Sequence, residues 1–167
     1  MTHHLRDQII DWLNDALSIE EGVEQVLNRQ LDDAKDHPQV RKMIEEHIKE
    51  TKQQGDTIRN RIQQLGGSPS RVKTTVGKVQ GWLQGVSTQP AEDRLVKDLV
   101  ANQAAENLEI ATYTAIIEAA KLIGDNETAS ICEQIRQQEQ ATAKKIEQML
   151  PTVVRDFMAK KQQQKAA

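Results

Sequence analysis

Polar side chains interrupt four apolar stripes of the sequence, each near its middle. The first stripe reads Leu13, Leu17, Glu20, Val23, Leu27. The second reads Ile44, His47, then Glu50 or Thr51, Gln54, Ile58. The third reads Leu99, Gln103, Glu106, then Glu109 or Ile110, Tyr113, and the fourth Ile135, Glu139, Thr142, Ile146. A lone carboxylate inside an apolar core is costly, so a layer of them should share a partner. Positions 20 and 50 are 30 residues apart, and so are 109 and 139. With Asp36 and Asp125 taken as hairpin tips, Glu20 and Glu109 stand 16 residues before a tip, and Glu50 and Glu139 stand 14 after it. At about 1.5 Å of rise per residue, these carboxylates reach similar heights. Four inward carboxylates have the charge to neutralise two divalent cations. Glu106, one turn before Glu109, could replace or supplement it. His47, one turn before Glu50, is the one plausible imidazole ligand, with Gln54 as a flanking group. The alternative is a structural layer, in which the glutamate stems pack, the heads reach water, and buried amides hydrogen-bond to fix helix register.

The elements that must position these residues are helices. Apolar residues recur at three and four throughout, with no sustained alternation of period two, so no strand is expected. Pro38, Pro69, Pro90 and Pro151 read as boundaries, because proline is tolerated in a first helical turn and costs about 3 kcal/mol in a helix interior. Gly124-Asp125-Asn126 reads as a C-cap glycine followed by N-cap residues. The expected helices run over 4–35, 38–65, 91–123 and 126–149. The crossover 66–90 should carry a short helix over 72–86, through Val76, Val79, Trp82 and Leu83. The tail 151–167 should form a short fifth helix, frayed from Lys160 onward. Two short loops make two antiparallel hairpins, and the long crossover lets them join as an all-α four-helix bundle of ferritin-like topology, spanning 1–167 as one domain. A four-helix bundle without that relationship is the alternative.

Composition narrows the function. The 167 residues carry 22 Lys+Arg and 25 Asp+Glu, a net charge of -3 that gives no reason to expect a nucleic-acid or membrane partner. Two Trp, one Tyr and one Phe are too few for a base-stacking or sugar-binding surface. Cys132 is the only cysteine, which excludes an intramolecular disulfide and a cysteine zinc cluster; on the fourth stripe it reads as a buried structural thiol. No apolar run has the length of a membrane span and nothing resembles a signal peptide, so a cytoplasmic location is expected.

Several segments together resemble the YciF/YciE family of bacterial ferritin-like stress-response proteins. They are Leu17-Ser18-Ile19-Glu20-Glu21, then His47-Ile48-Lys49-Glu50-Thr51 with Gln54, then Glu106-Asn107-Leu108-Glu109-Ile110-Ala111 with Tyr113, and Glu139 with Thr142. The resemblance covers most of the chain. It implies a ferritin-like bundle, frequently dimeric, with a suspected dinuclear metal site. Two departures stand out. Di-iron bundles carry Glu-x-x-His on two helices, whereas Glu50 is followed at i+3 by Gln53 and Glu139 by Thr142. The family's third-helix motif usually has a histidine after its first glutamate, where this chain has Asn107. So oxygen-rich a ligand set suits manganese or iron(II).

The functional expectation is therefore a stress-associated ferritin-like protein that holds two iron or manganese ions among Glu20, Glu50, Glu106 or Glu109, Glu139 and His47. If redox-active, those ions would react with oxygen or peroxide. The competing reading is a non-enzymatic helical protein whose polar layer binds no metal. Trp82, Leu83, Val154 and Phe157 are apolar surface on the crossover and tail, and a symmetric homodimer is expected to cover them.

Overall fold

The computed structural model describes residues 2–69, 81 and 92–166. Four helices account for nearly all of them: α1 (Thr2–Asp33), α2 (Pro38–Gln64), α3 (Arg94–Ile123) and α4 (Asn126–Ala166). No strand occurs among the described residues, and none of these helices is long and apolar enough to cross a membrane.

The helix ends follow the local chemistry. Pro38 opens α2 at its first turn, where a missing N–H costs nothing. Gly124 closes α3 in the left-handed region at φ 79°, which favours glycine. Asp125 then caps α4: its Oδ1 accepts from the Thr128 backbone N–H at 3.0 Å, and its Oδ2 from the Thr128 hydroxyl at 2.6 Å.

Cross-helix contacts fix the topology. Arg59 reaches Glu21 at 3.0 Å and Lys52 reaches Glu24 at 3.6 Å, so α1 and α2 run antiparallel. Tyr113 donates to Glu20 and Asn102 to Gln30, so α1 and α3 run antiparallel. Arg61 donates to Thr128 and Gln54 to Gln138, so α2 and α4 do too. In consequence α2 and α3 point the same way, and the connection between them joins opposite ends of the bundle. This is the ferritin-like arrangement expected from the two short loops.

The apolar core is split in two. One cluster, with Ile19, Val23, Leu27, Ile44, Leu99 and Ile146, lies toward the α1–α2 loop. The other, with Leu13, Leu17, Ile58, Ile62, Tyr113 and Ile135, lies toward the α3–α4 loop. On every helix the residues between them are the polar ones of the four stripes.

Two expectations need correction. The sequence predicts a fourth helix that stops at 149, a separate short helix after Pro151 and a frayed end from Lys160. Instead α4 is continuous to Ala166 with Pro151 inside it. Proline removes one hydrogen bond there, but Val153 just beyond it is buried in the first cluster and Met149 and Leu150 pack against that cluster. Burial on both sides of Pro151 offsets the local cost. The third helix begins at Arg94 rather than 91, with residues 92 and 93 in a turn. The helix expected over 72–86, with Trp82 and Leu83, falls outside the described residues, Gly81 apart.

Candidate metal centre

Each helix delivers its polar residues to the layer between the two clusters. α1 contributes Glu20, and α2 contributes His47, Thr51 and Gln54. α3 contributes Glu106 and Glu109, and α4 contributes Glu139 and Thr142. All eight are buried, Glu106 completely. Glu50 differs: it is half-buried at the edge of the layer, and the Thr142 hydroxyl reaches its Oε2 at 3.5 Å.

Three of these residues converge. His47, Glu106 and Glu139 each offer one ligand-type atom, and the three atoms lie within 4.8 Å of one another. Ligands on opposite sides of one first-row ion stand about 4.2 Å apart, so a small side-chain rotation closes the trio around a single ion. His47 Nε2 approaches Glu106 Oε1 at 3.2 Å, yet neither ring nitrogen makes a hydrogen bond. Glu20 and Glu109 form the other half of the layer, with the Tyr113 hydroxyl donating to Glu20 Oε1.

The electrostatics show how closely these groups share a space. Burial, and then the Glu139 carboxylate, push Glu20 well above the usual carboxylate range, against the pull of the Tyr113 hydrogen bond. Burial and Glu139 do the same to Glu106, and burial and Glu20 to Glu109. Burial lifts Glu139 to about 7, although its polar contacts with Glu106 and Gln54 work in the other direction. Burial and nearby Lys145 push His47 down to about 4, so its imidazole is neutral at physiological pH and keeps a lone pair for a metal. Without a metal this layer holds protons in place of some of its negative charge.

Glu20 Oε2, both oxygens of Glu106 and of Glu109, Glu139 Oε1 and both nitrogens of His47 are buried without a hydrogen-bond partner. Buried polar atoms are nearly always paired, so a concentration of such atoms on ligand-type side chains fits a set of metal ligands. The oxygen-rich donors with one imidazole suit iron(II) or manganese, and the helices hold them from four sides.

Of the sequence candidates, the structure brings His47, Glu106 and Glu139 closest together, places Glu20 and Glu109 beside them, and leaves Glu50 at the margin. Both members of the Glu106/Glu109 alternative turn inward. Lys145, exposed on α4 but near enough to act on His47, escaped the sequence reading; its place one turn beyond Thr142 was the available signal. Cys132 is buried, with its thiol pushed up to about 12 by burial, and lies in the second apolar cluster outside the layer.

The model of the family described as "Domain of unknown function (DUF892)" matches residues 4–159. Among solved structures, a Xanthomonas campestris protein is 28% identical, with TM-score 0.82, over 95% of this chain and 99% of that one. The Escherichia coli stress protein YciF is 23% identical, with TM-score 0.77, over 90% of this chain and 97% of its own. A Desulfovibrio desulfuricans bacterioferritin, described with its diiron site in different catalytic states, is 21% identical, with TM-score 0.78, over 96% of this chain and 90% of its own. The fold is thus shared with YciF-like proteins and with a bacterioferritin.

Proposed function

The chain belongs to the DUF892 family, and from that premise we propose that it is a stress-associated ferritin-like protein that holds two first-row divalent ions between its apolar clusters. The stress association rests on likeness to the E. coli stress protein YciF. The metal reading rests on one observation: the unpartnered buried atoms of Glu20, His47, Glu106, Glu109 and Glu139 lie in a single layer. A register-fixing layer needs hydrogen bonds, as between Asn102 and Gln30 at 2.8 Å, and these five side chains make few. His47, Glu106 and Glu139 would hold one ion. Glu20 and Glu109 would hold the second, with Glu50 at the edge. Bound iron(II) would supply electrons to oxygen or peroxide. The chain's own part is to neutralise the ions, hold Glu20 through Tyr113, and keep water out with apolar packing above and below.

The test is elemental analysis of untagged protein, followed by melting curves during titration with manganese and iron(II). About two ions per chain and a rising melting temperature are expected, because binding to the native state stabilises it. No metal-dependent shift would overturn the reading. We also infer a homodimer, since Val154 and Met158 leave apolar surface exposed one turn apart on α4. Light scattering should give twice 18.8 kDa, and a value of 18.8 kDa would exclude the dimer.

A further inference from the structure

A buried ligand set needs a way in. Toward either end of the bundle an apolar cluster closes the layer. On the α1–α3 side the Tyr113–Glu20 and Asn102–Gln30 hydrogen bonds bridge the helices. The clefts around His37 lie at the α1–α2 end, beyond the first apolar cluster. The α2–α4 seam is different. It is the most loosely packed of the four adjacent helix pairs, and at the level of the layer it opens into a cleft of about 370 Å³.

Gln53, Thr57, Gln134 and Gln138 line this cleft and are exposed. Gln54 also lines it, but is 3% exposed, so it forms the floor. On the outer side Gln54 Nε2 donates to Gln138 Oε1 at 3.1 Å, and on the inner side Gln54 lies close enough to the Glu139 carboxylate to stabilise its charge. Gln54, with buried Ile135 beside it in the cleft wall, thus stands between solvent and the converging ligands. The wall chemistry suits transit rather than capture. Amide and hydroxyl oxygens can replace part of a cation's hydration shell without adding charge that would trap it. The one carboxylate on the rim, Asp56, is occupied by Arg59 at 2.6 Å.

We propose that this cleft is the port by which small polar solutes, hydrated divalent cations foremost, reach the carboxylate layer, and that the Gln54–Gln138 pair is its gate. The port rests on the metal-binding reading, because it leads to that site. Rotation of Gln54 about its side-chain bonds gives up its hydrogen bond to Gln138 and opens the floor; the helices need not move.

Two measurements test it. The first is stopped-flow uptake of cobalt(II) by metal-free protein, followed by its visible absorption. Gln134→Trp, which fills the cleft from an exposed position, should slow uptake by about tenfold with the final number of ions unchanged, as expected of a raised barrier to passage. Gln138→Ala, which releases the outer anchor of Gln54, should speed it. The second measurement needs no metal. Thr51 is 2% exposed, one turn from Gln54 in the same layer. In a Cys132→Ala background, the nearly isosteric Thr51→Cys variant reports entry through its rate of alkylation by iodoacetamide. Adding Gln134→Trp should slow that reaction too. If the parent protein takes up no cobalt(II), the metal reading fails, and the alkylation rates still decide the port. If cobalt(II) is taken up but Gln134→Trp changes neither rate, the port is wrong and the metal reading stands.

Discussion

Glu139 is the hub of the buried layer, because its carboxylate acts on Glu20, Glu106 and Glu109 alike. Its own value is raised to about 7, above that of an exposed glutamate. The native state therefore binds more protons than the unfolded chain between those two values, and stability falls as pH rises through that window. We expect the melting temperature of metal-free protein to drop between about pH 5 and about pH 8, as the group's stabilising contribution is lost. Glu139→Gln keeps the shape and removes the charge. It should flatten that profile, raise the metal-free melting temperature near pH 8, and reduce the rise caused by manganese. A Glu139→Gln protein that gains as much stability with manganese as the parent would show that Glu139 holds no ion. Residue chemistry was legible from sequence to the extent that helical geometry is. His47 and Gln54 are two turns apart and define the inward line of α2; Glu50 and Thr51 fall on opposite sides of it. Both lie on the stripe and ligand chemistry favours Glu50, whereas packing buries Thr51 and leaves Glu50 at the edge. The choice depends on how α2 is rotated against its neighbours, which a single helix does not encode.

The helices carry two features that a variant can probe. Gly55 sits inside α2, facing α1 beside the site. A methyl group there would meet Leu17 Cδ1 at 3.7 Å and the Glu20 Cβ at 3.8 Å, which is ordinary contact. Gly55→Ala should therefore raise stability by about 0.5–1 kcal/mol through helix propensity, measurable by urea unfolding. Arg61 near the end of α2 is buried and reaches Thr128 at 2.8 Å and Asp125 at 2.7 Å, as well as Glu127. It ties α2 to the capped start of α4. Although burial opposes it, the Thr128 hydrogen bonds and Arg61 hold Asp125 below the usual carboxylate range. Arg61→Met should cost about 2 kcal/mol in the same experiment, since it strips charge-assisted bonds from groups that are only partly solvated. The caps at Pro38 and Gly124 were readable in advance because their chemistry is local. Pro151 was not, because the burial of Val153 that carries α4 past it is tertiary.

At the scale of the whole molecule, the α1–α2 and α3–α4 hairpins each close over a short loop, and each holds part of the proposed ligand set. Glu20, His47 and Glu50 come from the first, and Glu106, Glu109 and Glu139 from the second. Ferritin-like topology was legible because loop lengths alone dictate the pairing within hairpins; the convergence of His47, Glu106 and Glu139 was not, because it spans both. That division has a kinetic consequence. Hairpin contacts are local and form early, whereas docking of the halves is the long-range step. Docking brings like charges from both halves into one dry layer, so protons or cations must be taken up on the way to the native state. The refolding rate of metal-free protein should fall as pH rises from about 5 to about 8, most steeply where Glu139 titrates. Stopped-flow refolding at several pH values measures this directly, and a pH-independent refolding rate would place the uptake of protons after the barrier. A cation present during refolding would then act as a template that brings the two halves together.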